Sequence, residues 1–170
     1  FLAAGSVIHA MGDEQDVRRL GGVSVSMPIT YITILIGSLS LSGFPFLSGF
    51  YSKDYILRSS IFNKGIFVFW LGSITAFLTA FYTFRLFIMV FMQKPKGSQQ
   101  IAKNSHESGI FMLIPLIILS IGSIFSGYIF RDLFIGLGSD GFKNSISVSN
   151  VHVNLLDAEF IPYFFKAIPL

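Results

Sequence analysis

MPITYITILIGSLSLSGFPFLSGFYSKDYIL, residues 27–57, decides the fold. It lies in and just beyond a stretch of 33 uncharged residues between Arg19 and Lys53. A spanning helix needs about 20 apolar residues. As one helix, those 33 residues would reach about 50 Å, against roughly 30 Å of hydrocarbon. The run is too long for a plain helix, and its own residues offer a place to break. Pro28 suits a first helical turn. Gly43, Pro45 and Gly49 then fall within seven residues, interleaved with Ser42 and Ser48. Pro45 cannot donate to the helix ladder and crowds the preceding turn, and glycines tolerate the backbone angles of a break. The stretch therefore predicts a discontinuous helix over 28–59: Pro28 to about Phe44, a short unwound link, then about Leu47 to Ser59. Irregular backbone at membrane depth survives only inside protein or beside a water-filled cavity. A proline kink without functional consequence is the other reading of the same residues.

Working outward, the charges punctuate the rest of the chain. Twenty uncharged residues separate Lys64 from Arg85, with the apolar run continuing to Met92, and 23 separate Glu107 from Arg131. These predict helices over 66–92 and 110–130. Strands of a membrane barrel are excluded, because they need only about ten residues and strict alternation. Residues 1–11 read as the tail of a helix, 131–160 as an extramembrane loop with a short hairpin around Ile146 to Val153, and 161–170 as the start of a further helix. The fold class is all-α: a polytopic transmembrane bundle with one discontinuous helix. Gly72, Ser73, Ala76 and Ala80 permit close helix contact, and Trp70 suits an interfacial anchor.

Composition agrees with this reading. The chain is 52% hydrophobic and only 12% charged, where soluble domains carry about a quarter. Net charge is +3, but the basic residues sit in breaks between apolar runs and form no cluster with exposed aromatics, which argues against nucleic acid. The absence of cysteine excludes disulfides, thiolate metal sites and a thiol nucleophile. No metal-ligand spacing, phosphate-cradling loop or Ser-His-Asp pattern is present. Loop charges do not settle which side faces which compartment.

Four residues can carry chemistry. Lys53 and Asp54 follow the broken helix directly, with apolar Tyr55, Ile56 and Leu57 behind them. On an unbroken helix from Pro28, Lys53 would lie about 37 Å along, near or beyond the far interface; an unwound link would draw it inward. Two roles are open to it. A Lys at an interface snorkels to head groups, whereas an ammonium in a poorly solvated site exchanges protons more readily, with the adjacent Asp54 opposing that tendency. Intramembrane ionisable residues are functional hypotheses by default. Arg85 stays protonated and can only counterbalance a carboxylate, hold a helix junction or snorkel. His9 is a natural proton relay or a plain interfacial hydrogen-bonding residue. The loop between them and the broken helix, with Asp13, Glu14, Asp16, Arg18 and Arg19, reads as surface ion pairs worth little each.

Taken in order, GSVIHAMGDEQDVRRLGG (5–22), the 27–57 stretch, FWLGSITAFLTAFYTFRLFIMVF (69–91), IPLIILSIGSIFSGYIFRDLFIGLG (114–138) and AEFIPYFFKAIPL (158–170) resemble the antiporter-like subunit 5 family of respiratory NADH dehydrogenase, complex I. The resemblance covers essentially the whole chain, with matching intervening lengths. It implies part of a larger antiporter-like subunit of the mitochondrial inner membrane, assembled with other membrane-arm subunits in the lipid bilayer and translocating protons. It implies no cofactor in this chain, the assembled complex using FMN, iron–sulfur clusters, NADH and ubiquinone. By motif, Lys53 matches the broken-helix lysine on the proton exit side and Asp54 its acidic neighbour, while His9 and Arg85 lie in matching motifs with less settled roles. The resemblance places the His9-side loop in the matrix and the Lys53-side loop in the intermembrane space. The family's charged residues on earlier helices and its long lateral helix are not among these 170 residues. A cation/proton antiporter subunit uncoupled from NADH oxidation and a structural membrane module are the alternatives.

Overall fold

The computed structural model describes residues 1–62, 66–94 and 105–134, and the regular structure among them is helical. Helix α1 is Leu2–Ala10, α2 Pro28–Ser42, α3 Ser48–Phe62, α4 Ile66–Phe87 and α5 Ile110–Phe134. Ile66–Met92 and Ile110–Phe130 are each long and apolar enough to cross a membrane. Large apolar side chains such as Phe67, Phe77, Phe81, Phe111, Ile118 and Phe125 are exposed on them. Exposed apolar surface of this extent suits lipid or further protein, not water. The chain is a membrane protein.

The expected break is present. Helix α2 ends at Ser42 and α3 begins at Ser48, so the first half is two residues shorter than the sequence predicts and the second runs on to Phe62. Gly43 explains the earlier stop: its φ is +91°, a left-handed conformation that a glycine after a helix adopts at little cost, and its N–H donates to the Ser40 carbonyl at 3.2 Å. Phe46 also has a positive φ, 73°, which is costly for a bulky residue. At the other end, α5 continues to Phe134, past the boundary expected at 130. Arg131 ends the apolar run, but a charge marks a membrane edge and does not stop a helix. The expected hairpin, most of the 131–160 loop and the helix start at 161–170 lie outside the described residues.

One feature has no counterpart in the sequence reading. Beyond Phe87, α4 closes with a π-helical turn, Ile88–Met92, in which the Gln93 N–H donates to the Ile88 carbonyl at 3.0 Å. The turn puts Val90 and Phe91 into buried positions.

The chain divides into two compact units, Phe1–Leu39 with Phe81–Gly122, and Ser40–Ala80 with Ser123–Leu170. The first has an apolar core of Val7, Met11, Leu20, Val23, Met27, Phe87, Val90 and Phe91. Tyr31 packs against Phe87 and Phe91 there, with ring centroids 5.2 and 5.3 Å apart. In the second unit, α5 approaches the start of α3 closely: a Cβ on Gly127 would stand 2.5 Å from Ser48 Cα. The small residue is what permits that contact.

Candidate functional site

The second unit gathers the polar groups of the broken helix. Where a helix ends, its last carbonyls and the next helix's first N–H groups lack partners, and here serines and a lysine supply them. Ser40 Oγ accepts from the Gly49 N–H at 3.3 Å and shares a hydrogen bond with Ser48 Oγ at 3.2 Å. The start of α3 is thereby held beside the last turn of α2. A Cβ on Gly49 would overlap the Ser40 carbonyl oxygen, so the approach requires glycine.

One turn further along α3, Lys53 donates from Nζ to the Ser42 carbonyl at 3.4 Å and to Thr79 Oγ1 at 3.2 Å. Ser42 is the last residue of α2, where the helix macrodipole is negative, and the ammonium closes that end. Its methylene stem passes 3.5 Å from where a Cβ on Gly43 would stand. An ammonium has three N–H donors; two are engaged, and no acceptor for the third lies among the described residues.

Asp54 turns elsewhere. Adjacent residues on a helix do not face each other, and its carboxylate forms a paired contact with Arg58, including Arg58 Nε to Oδ1 at 3.0 Å. Those side chains are only 19% and 12% exposed for Arg58 and Asp54, so the pair is largely shielded. Sequence reading has the carboxylate of Asp54 opposing proton loss from Lys53; in the structure that carboxylate pairs with Arg58. The i, i+4 spacing of Asp54 and Arg58 was the available signal for that pair. Thr79 was not singled out from sequence, being one small residue in an apolar run.

His9 and Arg85 belong to the first unit. His9 is exposed in the last turn of α1. Arg85 is exposed near the end of α4 and makes no ion pair among the described residues. The structure thus brings Lys53 to Thr79 and Asp54 to Arg58, but adds neither His9 nor Arg85 to that group. The loop after α1 shows the surface pairs expected of it, Arg18 with Asp16 at 3.1 Å and Arg19 with Glu14 at 3.4 Å.

The first unit holds a polar cluster that sequence reading missed. Glu107 Oε1 accepts from the Thr30 N–H at 2.9 Å and from Thr30 Oγ1 at 2.6 Å. Ser6 Oγ hydrogen-bonds to Ser108 Oγ and, at 3.4 Å, to Thr30 Oγ1. Ser6, Thr30 and Ser108 are all buried. The second carboxylate oxygen, Glu107 Oε2, is buried with no hydrogen-bond partner among the described residues. Among those residues no three His, Asp or Glu side chains gather as metal ligands do.

Two family profiles match the chain. Residues 1–79 match the transmembrane family described as NADH:quinone oxidoreductase/Mrp antiporter, and residues 82–137 match the NADH dehydrogenase subunit 5 C-terminus. The chain is similar over its whole length to curated proteins named NADH-ubiquinone oxidoreductase chain 5. It is 53% identical to that of Phytophthora infestans, 50% to that of Acanthamoeba castellanii and 47% to that of Marchantia polymorpha. In each case the match covers 100% of this chain and 26% of the relative. The chain spans about a quarter of the length of the curated relatives it matches.

Proposed function

Since the chain belongs to the NADH dehydrogenase subunit 5 family, we propose that it takes part in proton translocation within respiratory NADH:ubiquinone oxidoreductase, with Lys53 as its proton-transfer residue. On this reading it works in the mitochondrial inner membrane among other membrane-arm subunits. The redox cofactors, FMN and iron–sulfur clusters, belong to those other subunits, and NADH and ubiquinone react there. The eukaryotic relatives, all named for that oxidoreductase, support the assignment. The first profile also describes Mrp antiporters, but the second is particular to subunit 5 and favours the respiratory complex.

The observation that carries the role of Lys53 is its place at the helix break. Helix α2 has 15 residues, about 22 Å at 1.5 Å each. The ammonium lies at the carbonyl that ends it, well short of the ~37 Å that an unbroken helix would give. An anchor would reach the interface. This ammonium instead turns to a backbone carbonyl and a threonine, with no acceptor for its third N–H among the described residues. Asp54, held by Arg58, is the fixed charge beside it.

Lys53→Arg is the discriminating substitution. It keeps the positive charge but cannot release a proton in the working pH range. In fully assembled complex, protons pumped per NADH oxidised should fall to less than roughly a tenth of normal, given a guanidinium that does not titrate. Normal pumping by an assembled Lys53→Arg complex would leave Lys53 an anchor.

A further inference from the structure

Thr79 sits on α4, 26 positions from Lys53 in sequence, and its hydroxyl makes two contacts at once. It accepts from Lys53 Nζ at 3.2 Å and donates to the Ala76 carbonyl, three residues back on its own helix, at 2.7 Å. A threonine hydroxyl has one proton and two lone pairs. While the proton points at Ala76, the lone pairs face the ammonium. The β-branched side chain is stiff about χ1, and back-bonding to a carbonyl three residues earlier is one of its two helical rotamers. The oxygen is thus held in place, and only its hydrogen is free to turn.

We infer that Thr79 is the positioning residue for Lys53, its hydroxyl reversing direction as the lysine gains and loses its proton. This rests on reading Lys53 as the proton-transfer residue. With Lys53 protonated, Nζ has only donors and needs an acceptor, which Thr79 provides. When the ammonium gives one proton to a water molecule, that N–H bond breaks, hydronium forms and Nζ keeps the electron pair. The amine keeps two N–H donors and gains a lone pair, which needs a donor once rotation about Cε–Nζ turns it toward Thr79. Rotation about Cβ–Oγ turns the Thr79 proton from Ala76 to Nζ, with no bond to Thr79 made or broken and its proton retained throughout. The Ala76 carbonyl keeps its place in the helix. On reprotonation the hydroxyl turns back. One hydroxyl can therefore meet either an N–H or the lone pair of Nζ, whereas a carboxylate can only accept and a methyl group can do neither.

The geometry also explains why Thr suits this position. A serine has the hydroxyl without the β-methyl that restrains χ1; a valine has the shape without the hydroxyl. Thr79→Val, Thr79→Ser and Lys53→Arg should be compared in the assembled membrane complex, measuring proton pumping per NADH oxidised from pH 6 to 9. Assembly is measured separately by the amount of intact complex. Thr79→Val is expected to lower pumping about tenfold, the scale of a lost hydrogen bond to a charged group, and to displace the pH profile. Thr79→Ser should recover most of the rate and the original profile. A residue that merely packs helices would change the amount of complex but not the profile. If Thr79→Val assembles poorly, Thr79→Ala is read in the same way. Normal pumping with an unmoved profile in whichever variant assembles, while Lys53→Arg abolishes pumping, would overturn this inference alone. Normal pumping by Lys53→Arg would overturn the proton-transfer reading beneath it.

Discussion

Helix α2 is closed at its two ends by opposite charges, and the two closures differ in how they are built. At the N-terminal end, Glu107 accepts the Thr30 N–H from 77 positions away. At the C-terminal end, Lys53 reaches the Ser42 carbonyl from 11 positions away. Both signs suit the macrodipole, whose positive end favours an anion and whose negative end favours a cation. The surroundings separate them. Glu107 is clasped by the backbone and side chain of one threonine within a cluster of buried hydroxyls. Lys53 has one backbone carbonyl and one hydroxyl, with no acceptor for its third N–H among the described residues. The same electrostatic device is thus built once with a carboxylate held by a single threonine and once with an ammonium shared between a carbonyl and a hydroxyl, the arrangement on which the proposed proton transfer rests.

The largest expected effect tests that contrast directly. Lys53→Arg should stop pumping in assembled complex, whereas Glu107→Gln, which keeps an acceptor oxygen for Thr30, should leave pumping per assembled complex near normal. If Glu107→Gln stopped pumping without lowering assembly, the contrast between the two closures would fail. Next in size is Gly49→Ala. Its Cβ would overlap the Ser40 carbonyl oxygen, and over-packing of this kind costs about 1–3 kcal/mol. A lower thermal midpoint of the solubilised complex is the expected result; an unchanged midpoint would mean that α3 does not press on α2 there.

Glu107→Ala comes third. It leaves the Thr30 N–H and hydroxyl without their acceptor in a buried cluster, at about 1–3 kcal/mol, read as the same midpoint; Glu107→Gln should lose less. A full loss with Gln would show that charge, and not the acceptor oxygen, closes this end. The smallest effect belongs to Asp16, where the side chain and backbone N–H of Arg18 hold the carboxyl below its ordinary value. A depressed carboxyl contributes stability above its unfolded value, near 4, and that contribution is lost as pH falls through the lower folded value. The pair is exposed, so Asp16→Asn should leave the midpoint unchanged within error from pH 5 to 8. A clear loss there would make this surface pair a structural one.

How much of this was legible in the sequence follows from the range over which each feature is determined. The break was legible because Gly43 and Pro45 act on their own backbone, and because the uncharged run was too long for the bilayer. Its edges shifted by two or three residues, since a left-handed Gly43 stops the helix before Phe44 does. Lys53 was legible as a candidate by its place after the break. Its partner was not: Thr79 is ordinary in composition and becomes a partner only when α3 and α4 pack. Glu107 marks only the edge of an uncharged run in the sequence, its acceptor role depending on a threonine 77 positions away. The π turn at Ile88–Met92 was invisible because IMVFM suits an α-helix equally well by propensity. The Asp54–Arg58 pair is readable from its i, i+4 spacing, which helical geometry favours.

The height of the Lys53 ammonium has an electrical consequence. A charge beyond the hydrocarbon feels almost none of the transmembrane voltage. Were α2 to start at one hydrocarbon surface and run along the bilayer normal, an ammonium at its end would lie about 22 Å into roughly 30 Å of hydrocarbon. A proton reaching it from the Pro28 side would have crossed some two-thirds to three-quarters of the field, and one arriving from the other side only the remainder. Crossing the whole field is worth about 2.3 kcal/mol per charge for each 100 mV, so the two approaches would differ by roughly 1 kcal/mol at that voltage. On the proposed role of Lys53, such a depth would make its proton occupancy sensitive to membrane voltage, with the larger share of the field on the side from which α2 enters.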